Sequence, residues 1–96
     1  MGLRWTSSAR KHGVTREDAV YAIMNAVRAE SEFNEPRMPG LRRPTLFIGP
    51  PRQRDGPLLE VMVETIPTDD VVVFHVMVAR AKHLRRMVEE DDIHEQ

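Results

Sequence analysis

The sequence predicts an α+β domain, a small antiparallel sheet with N-terminal helices packed on one face and a C-terminal helix. Three observations carry that reading. Apolar residues recur at helical spacing over 16–28, where Ala19, Val20, Ile23, Met24 and Val27 fall on one face. Residues 45–49, 58–66 and 71–78 are short aliphatic runs with the composition of strands. The last two runs are joined only by residues 67–70, which implies an antiparallel hairpin.

Each element has a local cause. Leu3, Arg4 and Trp5 suit a short edge strand, with Trp5 packing a core edge. Ser7 and Ser8 are good N-cap residues and Gly13 is a natural stop, so residues 8–12 form a short helix. Thr15 caps the next helix, with Asp18 three residues on as in a capping box. Residues 31–44 are polar and carry Pro36, Pro39, Gly40 and Pro44, which makes them a long loop. The 50–56 connection holds Pro50, Pro51 and Gly56 between two strands. A closing helix over 81–90 turns Ala81, Leu84 and Val88 inward. Residues 1–88 make one domain, and the acidic stretch 89–96 is a disordered tail.

Composition narrows the function class. The 41% hydrophobic and 30% charged residues are those of a soluble globular protein. No apolar run approaches the ~20 residues of a membrane span, so no membrane is expected. The absence of cysteine excludes disulfides and thiolate metal sites, and fits a cytoplasmic protein. The net charge of −1 argues against a uniformly basic nucleic-acid binder. Positive charge is nevertheless concentrated, at Arg37, Arg42, Arg43, Arg52 and Arg54 and again at Arg80, Lys82, Arg85 and Arg86. Without the acidic tail the domain is net positive, and such a body attracts phosphate.

The hairpin fixes a candidate site. With Ile66 opposite Val71, the pairs Glu64–Val73, Met62–His75 and Glu60–Met77 follow. Cross-strand partners share a face. Leu59, Val61, Val63, Val72, Phe74, Val76 and Val78 then form an apolar face for the helices to cover. Glu60, Met62, Glu64, Val73, His75 and Met77 form the other, and a slip of one residue would bury both glutamates with Phe74 and Val76.

His75 with Glu60 and Glu64 has the parts for proton transfer, since a carboxylate orients an imidazole that titrates near neutral pH. Arg80 follows at the strand-to-helix corner and supplies a fixed cation. RNA cleavage through the 2′-hydroxyl needs a base, an acid and cations around phosphorus, with no metal and no cofactor. These four residues are the catalytic candidates. Lys82, Arg85, Arg86, Arg52, Arg54, Lys11 and His12 are the RNA-binding candidates. Each has a plainer reading. The sheet face can be half-exposed and merely polar, Lys11 and His12 can cap a helix end, and Arg52 and Arg54 can belong to a solvated turn. His83 is expected in solvent, and no metal site is expected from the four histidines.

The run Lys11-His12-Gly13-Val14-Thr15-Arg16-Glu17-Asp18-Ala19, preceded by Trp5, resembles the BrnT-like toxins of type II toxin–antitoxin systems. Leu46-Phe47-Ile48-Gly49 is similar to that family's next strand, and Val78-Ala79-Arg80-Ala81 to its alanine–arginine motif before the last helix. The motifs occur in order from about Trp5 to Met87. The last helix departs from the family in lacking its arginine–glutamate pairs, and His75 is not a fixed family feature. The resemblance implies a RelE-like fold and an endoribonuclease acting on mRNA, free or on the ribosome. It also implies a cognate antitoxin of ribbon-helix-helix type, bound in a hetero-oligomer. In that family, Arg80, Lys82, Arg85 and Arg86 would be the functional positions. The competing expectation is a protein-binding module of the same fold without catalysis, acting through a partner at an exposed Met62/Met77 pair.

Overall fold

A computed structural model describes residues 2–31, 44–66, 70–85 and 87. Its elements are β1 (Leu3–Trp5), a 3-10 helix (Ser8–Arg10), α1 (Arg16–Met24), β2 (Arg28–Glu30), β3 (Thr45–Gly49), β4 (Leu59–Thr65) and β5 (Val71–Val78). Residues 81–85 and 87 are helical. Arg37, Arg42, Arg43, Arg86, Val88, the acidic tail and most of the 31–44 loop lie outside the described residues.

The class is α+β, with one five-stranded sheet in the order β1-β5-β4-β3-β2. The sheet is mixed rather than antiparallel throughout, because β1 pairs parallel to β5. Strands joined by a tight hairpin must run antiparallel, but β1 and β5 are separated by the rest of the domain and carry no such constraint. Trp5 is half-buried at the edge of the core, with the Arg16 guanidinium 5.0 Å from its ring centroid.

Thr15 caps α1 as expected, with extended backbone and its hydroxyl accepting the Asp18 N–H at 3.2 Å. The helix ends at Met24 rather than at residue 28. Asn25 closes it by donating both its backbone and side-chain N–H to the Tyr21 carbonyl. Val27 then donates to the Ile48 carbonyl at 2.8 Å, which draws the chain into β2 on the edge of β3. The inward face is therefore Ala19 and Ala22, both fully buried, while Met24 is 79% exposed. Close approach explains the alanines: a methyl group on Gly49 would overlap the carbonyl oxygen of Ala22, so α1 rests directly on the end of β3.

The β4–β5 register agrees with expectation at Glu60–Met77 and Met62–His75 and then shifts. A β-bulge opposite Met62 and Val63 leaves Phe74 as the extra residue, so Val63 pairs with Val73 and Glu64 with Val72. The bulge turns the first half of β5 over. Val73, not Val72 and Phe74, joins Val61, Val63 and Val76 under α1. Phe74 packs on the opposite side with Leu46, Ile48, Met62, Leu84 and Met87. The sheet consequently has a core on each face. The face expected to be open is covered by the C-terminal helical segment, and Met62 is buried at 6% exposure rather than offered to a partner.

Candidate active site around Glu60, His75 and Arg80

Glu60 points into the second core from the start of β4, one residue into the strand, and is fully buried. A buried carboxylate is tolerated only when its oxygens are paired and hydrogen-bonded. The strand-to-helix corner does this. Ala79 N–H donates to the Leu58 carbonyl at 2.8 Å, which ends the β5 ladder and sets the next residue over Glu60. The Arg80 backbone N–H donates to Glu60 Oε1 at 2.8 Å. Its Nε and Nη2 donate to Oε2 at 3.0 and 2.8 Å, and Nε also reaches Oε1 at 3.2 Å. The Arg80 carbonyl then accepts the N–H groups of His83 and Leu84, so the same residue starts the helix.

From β5, His75 Nε2 meets Glu60 Oε2 at 2.7 Å. Burial pushes the Glu60 carboxyl up, but the hydrogen bonds from the Arg80 side chain and N–H, then that from His75, outweigh it and hold the carboxyl below its ordinary range. Glu60 is therefore an ionised acceptor. The hydrogen bond then requires His75 to carry its proton on Nε2, leaving Nδ1 with the lone pair in the neutral ring.

His83 is a correction. It was expected in solvent, yet it is 4% exposed, with Nε2 at 3.4 Å from Arg80 Nη2 and 3.8 Å from Glu60 Oε2. Arginine only donates, so His83 Nε2 is the acceptor toward it. The spacing held the signal: His83 stands three residues after Arg80, one helical turn away.

Glu64 is also buried, but the bulge sets it opposite Val72, one step further from His75 than the uniform register placed it. Arg80 keeps 39% and His75 21% of the side chain exposed, so both present an edge to solvent while Glu60 does not. Lys82 and Arg85 are exposed on the helical segment beside Arg80. Lys11 and His12 are exposed after the 3-10 helix, and the His12 ring lies 6.0 Å from that of His75.

Arg52 is elsewhere. Its Nε and backbone N–H both donate to Asp18 Oδ1, at 2.9 and 3.1 Å, on α1 and hence on the other side of the sheet from Glu60. The hydrogen bonds from Arg52 hold the Asp18 carboxyl below its usual range. The plainer reading, a solvated turn, describes Arg52: its side chain stays 55% exposed, and its bonds to Asp18 tie the turn to α1. Arg54 is exposed in the same turn.

Among the described residues, no three His, Asp or Glu side chains converge as a metal site would require. None of the described helices is long and apolar enough to cross a membrane. On the α1 side, an apolar groove of about 490 Å³ runs between Val20, Ile23 and Met24 and the sheet residues Leu3, Phe47 and Val63. Comparison with protein-family models, with curated proteins and with solved structures finds no match to this chain.

Proposed function

We propose that the protein is an endoribonuclease of the RelE-like, BrnT-like kind, the toxin of a type II toxin–antitoxin pair, cleaving mRNA through the 2′-hydroxyl. The observation that carries this reading is the buried Glu60 carboxylate, which fixes both His75 and Arg80 while each keeps a solvent-facing edge. His75 Nδ1 takes the proton from the 2′-hydroxyl. The 2′-oxygen attacks phosphorus and the bond to the 5′-oxygen breaks, leaving a 2′,3′-cyclic phosphate and a 5′-oxygen that takes up a proton from an acid to become a hydroxyl. Arg80 stabilises the charge that develops on the phosphorane oxygens. Lys82 and Arg85 hold flanking phosphates. Glu60 does not touch RNA. It sets the tautomer of His75 and the orientation of Arg80, as the aspartate of a serine-protease triad does for its histidine. Glu64 has no part in this scheme.

The test uses the purified chain and an mRNA transcript in the presence of a chelator. Cleavage should leave 2′,3′-cyclic phosphate ends, and Arg80→Lys, which keeps the charge but not the fork, should slow it about 10²–10³-fold. Expression without a partner should arrest growth. Abundant soluble wild-type protein with uncut RNA and normal growth would refute the reading.

The apolar groove on the α1 side, with Met24 exposed at its rim, favours a second reading: a protein-binding module of this fold that acts through a partner. That reading predicts a stable complex and no RNA cleavage.

A further inference from the structure

The sequence offers two explanations for the Lys11-His12-Gly13 turn, a helix cap or a second histidine for the site. Capping accounts for little, because the preceding helix is a three-residue 3-10 turn and lacks the aligned dipole that favours cations at a long helix end. The backbone around it is instead arranged to deliver His12. Thr6 N–H donates to the Val73 carbonyl at 3.1 Å, and the Ser8 hydroxyl donates to the Phe74 carbonyl at 2.7 Å. Phe74 is the bulge residue, so the bulge provides the carbonyl that anchors the 3-10 helix beside β5. Ala9 is buried there, and Gly13 turns the chain away at φ 74°. The result is His12 edge-on to His75, with ring centroids 6.0 Å apart and an interplanar angle of 70°.

We infer that His12 is the second proton-transfer group of the site, the acid that complements His75; the inference rests on the endoribonuclease reading above. In-line displacement places the attacking 2′-oxygen and the departing 5′-oxygen on opposite sides of phosphorus. One imidazole with a single available nitrogen does not serve both in the same step, and His75 Nε2 is committed to Glu60. Hydrogen bonds of about 3 Å from each ring reach a phosphodiester lying beside the pair. As His75 Nδ1 removes the 2′-hydroxyl proton and the 2′-oxygen bonds to phosphorus, the bond to the 5′-oxygen breaks and a ring N–H of protonated His12 supplies the proton that this oxygen takes up. His75 leaves the step protonated and His12 neutral, and exchange with water restores both. His12 thereby moves from an RNA-gripping residue to a catalytic one.

The experiment compares two oligoribonucleotides carrying the cut site mapped on the transcript, one ordinary and one with sulfur in place of the 5′-oxygen that leaves. A thiolate departs without a proton. His12→Asn should slow cleavage of the ordinary RNA about 10²–10⁴-fold and cut the sulfur RNA nearly as fast as wild type. His75→Asn should be slow on both. Thermal melts verify that His12→Asn folds, as expected for an exposed side chain. Equal slowing of His12→Asn on both substrates makes His12 an RNA-holding residue and overturns the inference, as does wild-type speed on the ordinary RNA. Wild-type protein that cuts neither overturns the endoribonuclease reading and this inference with it.

Discussion

Replacing Arg80 by methionine tests the physical premise of the site, that Glu60 is a charge held out of water. The substitution keeps side-chain bulk but strips three of the five described hydrogen bonds to the carboxylate. The bonds from His75 and from the backbone N–H of residue 80 remain. Removing one partner of a buried ion pair costs about 3–5 kcal/mol, because the other charge stays desolvated. The two surviving bonds place Arg80→Met near the lower end, about 3 kcal/mol. In urea, with a slope of about 2 kcal/mol per molar, the midpoint should fall about 1.5 M at unchanged slope. In a thermal melt the same loss corresponds to about 12–24 °C for a domain of this size. The double variant Glu60→Met, Arg80→Met removes both charges and should be more stable than Arg80→Met alone, since an apolar replacement of a buried pair is often neutral. A loss under about 1 kcal/mol, the range of exposed ion pairs, would refute the premise. So would a double variant less stable than the single.

Gly49→Ala should lower the melting temperature by an amount equivalent to about 1–3 kcal/mol, because the added methyl overlaps the Ala22 carbonyl and α1 must lift from β3; a melt matching wild type would show that the helix yields freely. The pH dependence of stability should carry the signature of Glu60. Its carboxyl titrates lower folded than unfolded, so the stabilisation is complete above the ordinary carboxylate range and is lost as pH falls through the folded value. Glu60→Gln should therefore flatten the acid limb of urea midpoint against pH, and curves parallel to wild type would exclude Glu60 as the titrating group.

What the sequence made legible followed from periodicity and chain connectivity. Strands β3, β4 and β5, the capped start of α1, the turn at Gly13 and the pairing of Met62 with His75 were all readable, because each depends on near neighbours. The grouping of Glu60, His75 and Arg80 was readable for the same reason: a hairpin register and a strand end bring them together. The errors share one origin in tertiary structure. A bulge has no sequence mark in the apolar run 71–74, and it alone exchanged Val72 and Phe74 for Val73 under α1. The end of α1 at Met24 reflects capture of residues 28–30 by the edge of β3, which overrides an apolar period extending to Val27. The parallel β1–β5 pair joins segments at opposite ends of the chain, and the position of His83 depends on which sheet face the last helical segment covers.

That last point joins stability to function. An exposed Glu60 would interact with His75 and Arg80 through screened charges, and both side chains would sample many rotamers. Covered by Leu84 and Met87 with Leu46, Ile48 and Met62, it accepts hydrogen bonds in a low-dielectric setting where each is stronger and leaving one unmade is costly. The carboxylate thus behaves as a rigid post on β4, to which the residues that face solvent are tied. The post exists only while the second core is closed, and the closing segment begins at Arg80 itself, whose N–H binds Glu60 and whose carbonyl starts the helix. Folding of the C-terminal segment and assembly of the site are therefore one event. A substitution that opens this core away from the site residues, such as Leu46→Ala, should loosen His75 and Arg80 together, read as faster proton exchange of both side chains by NMR.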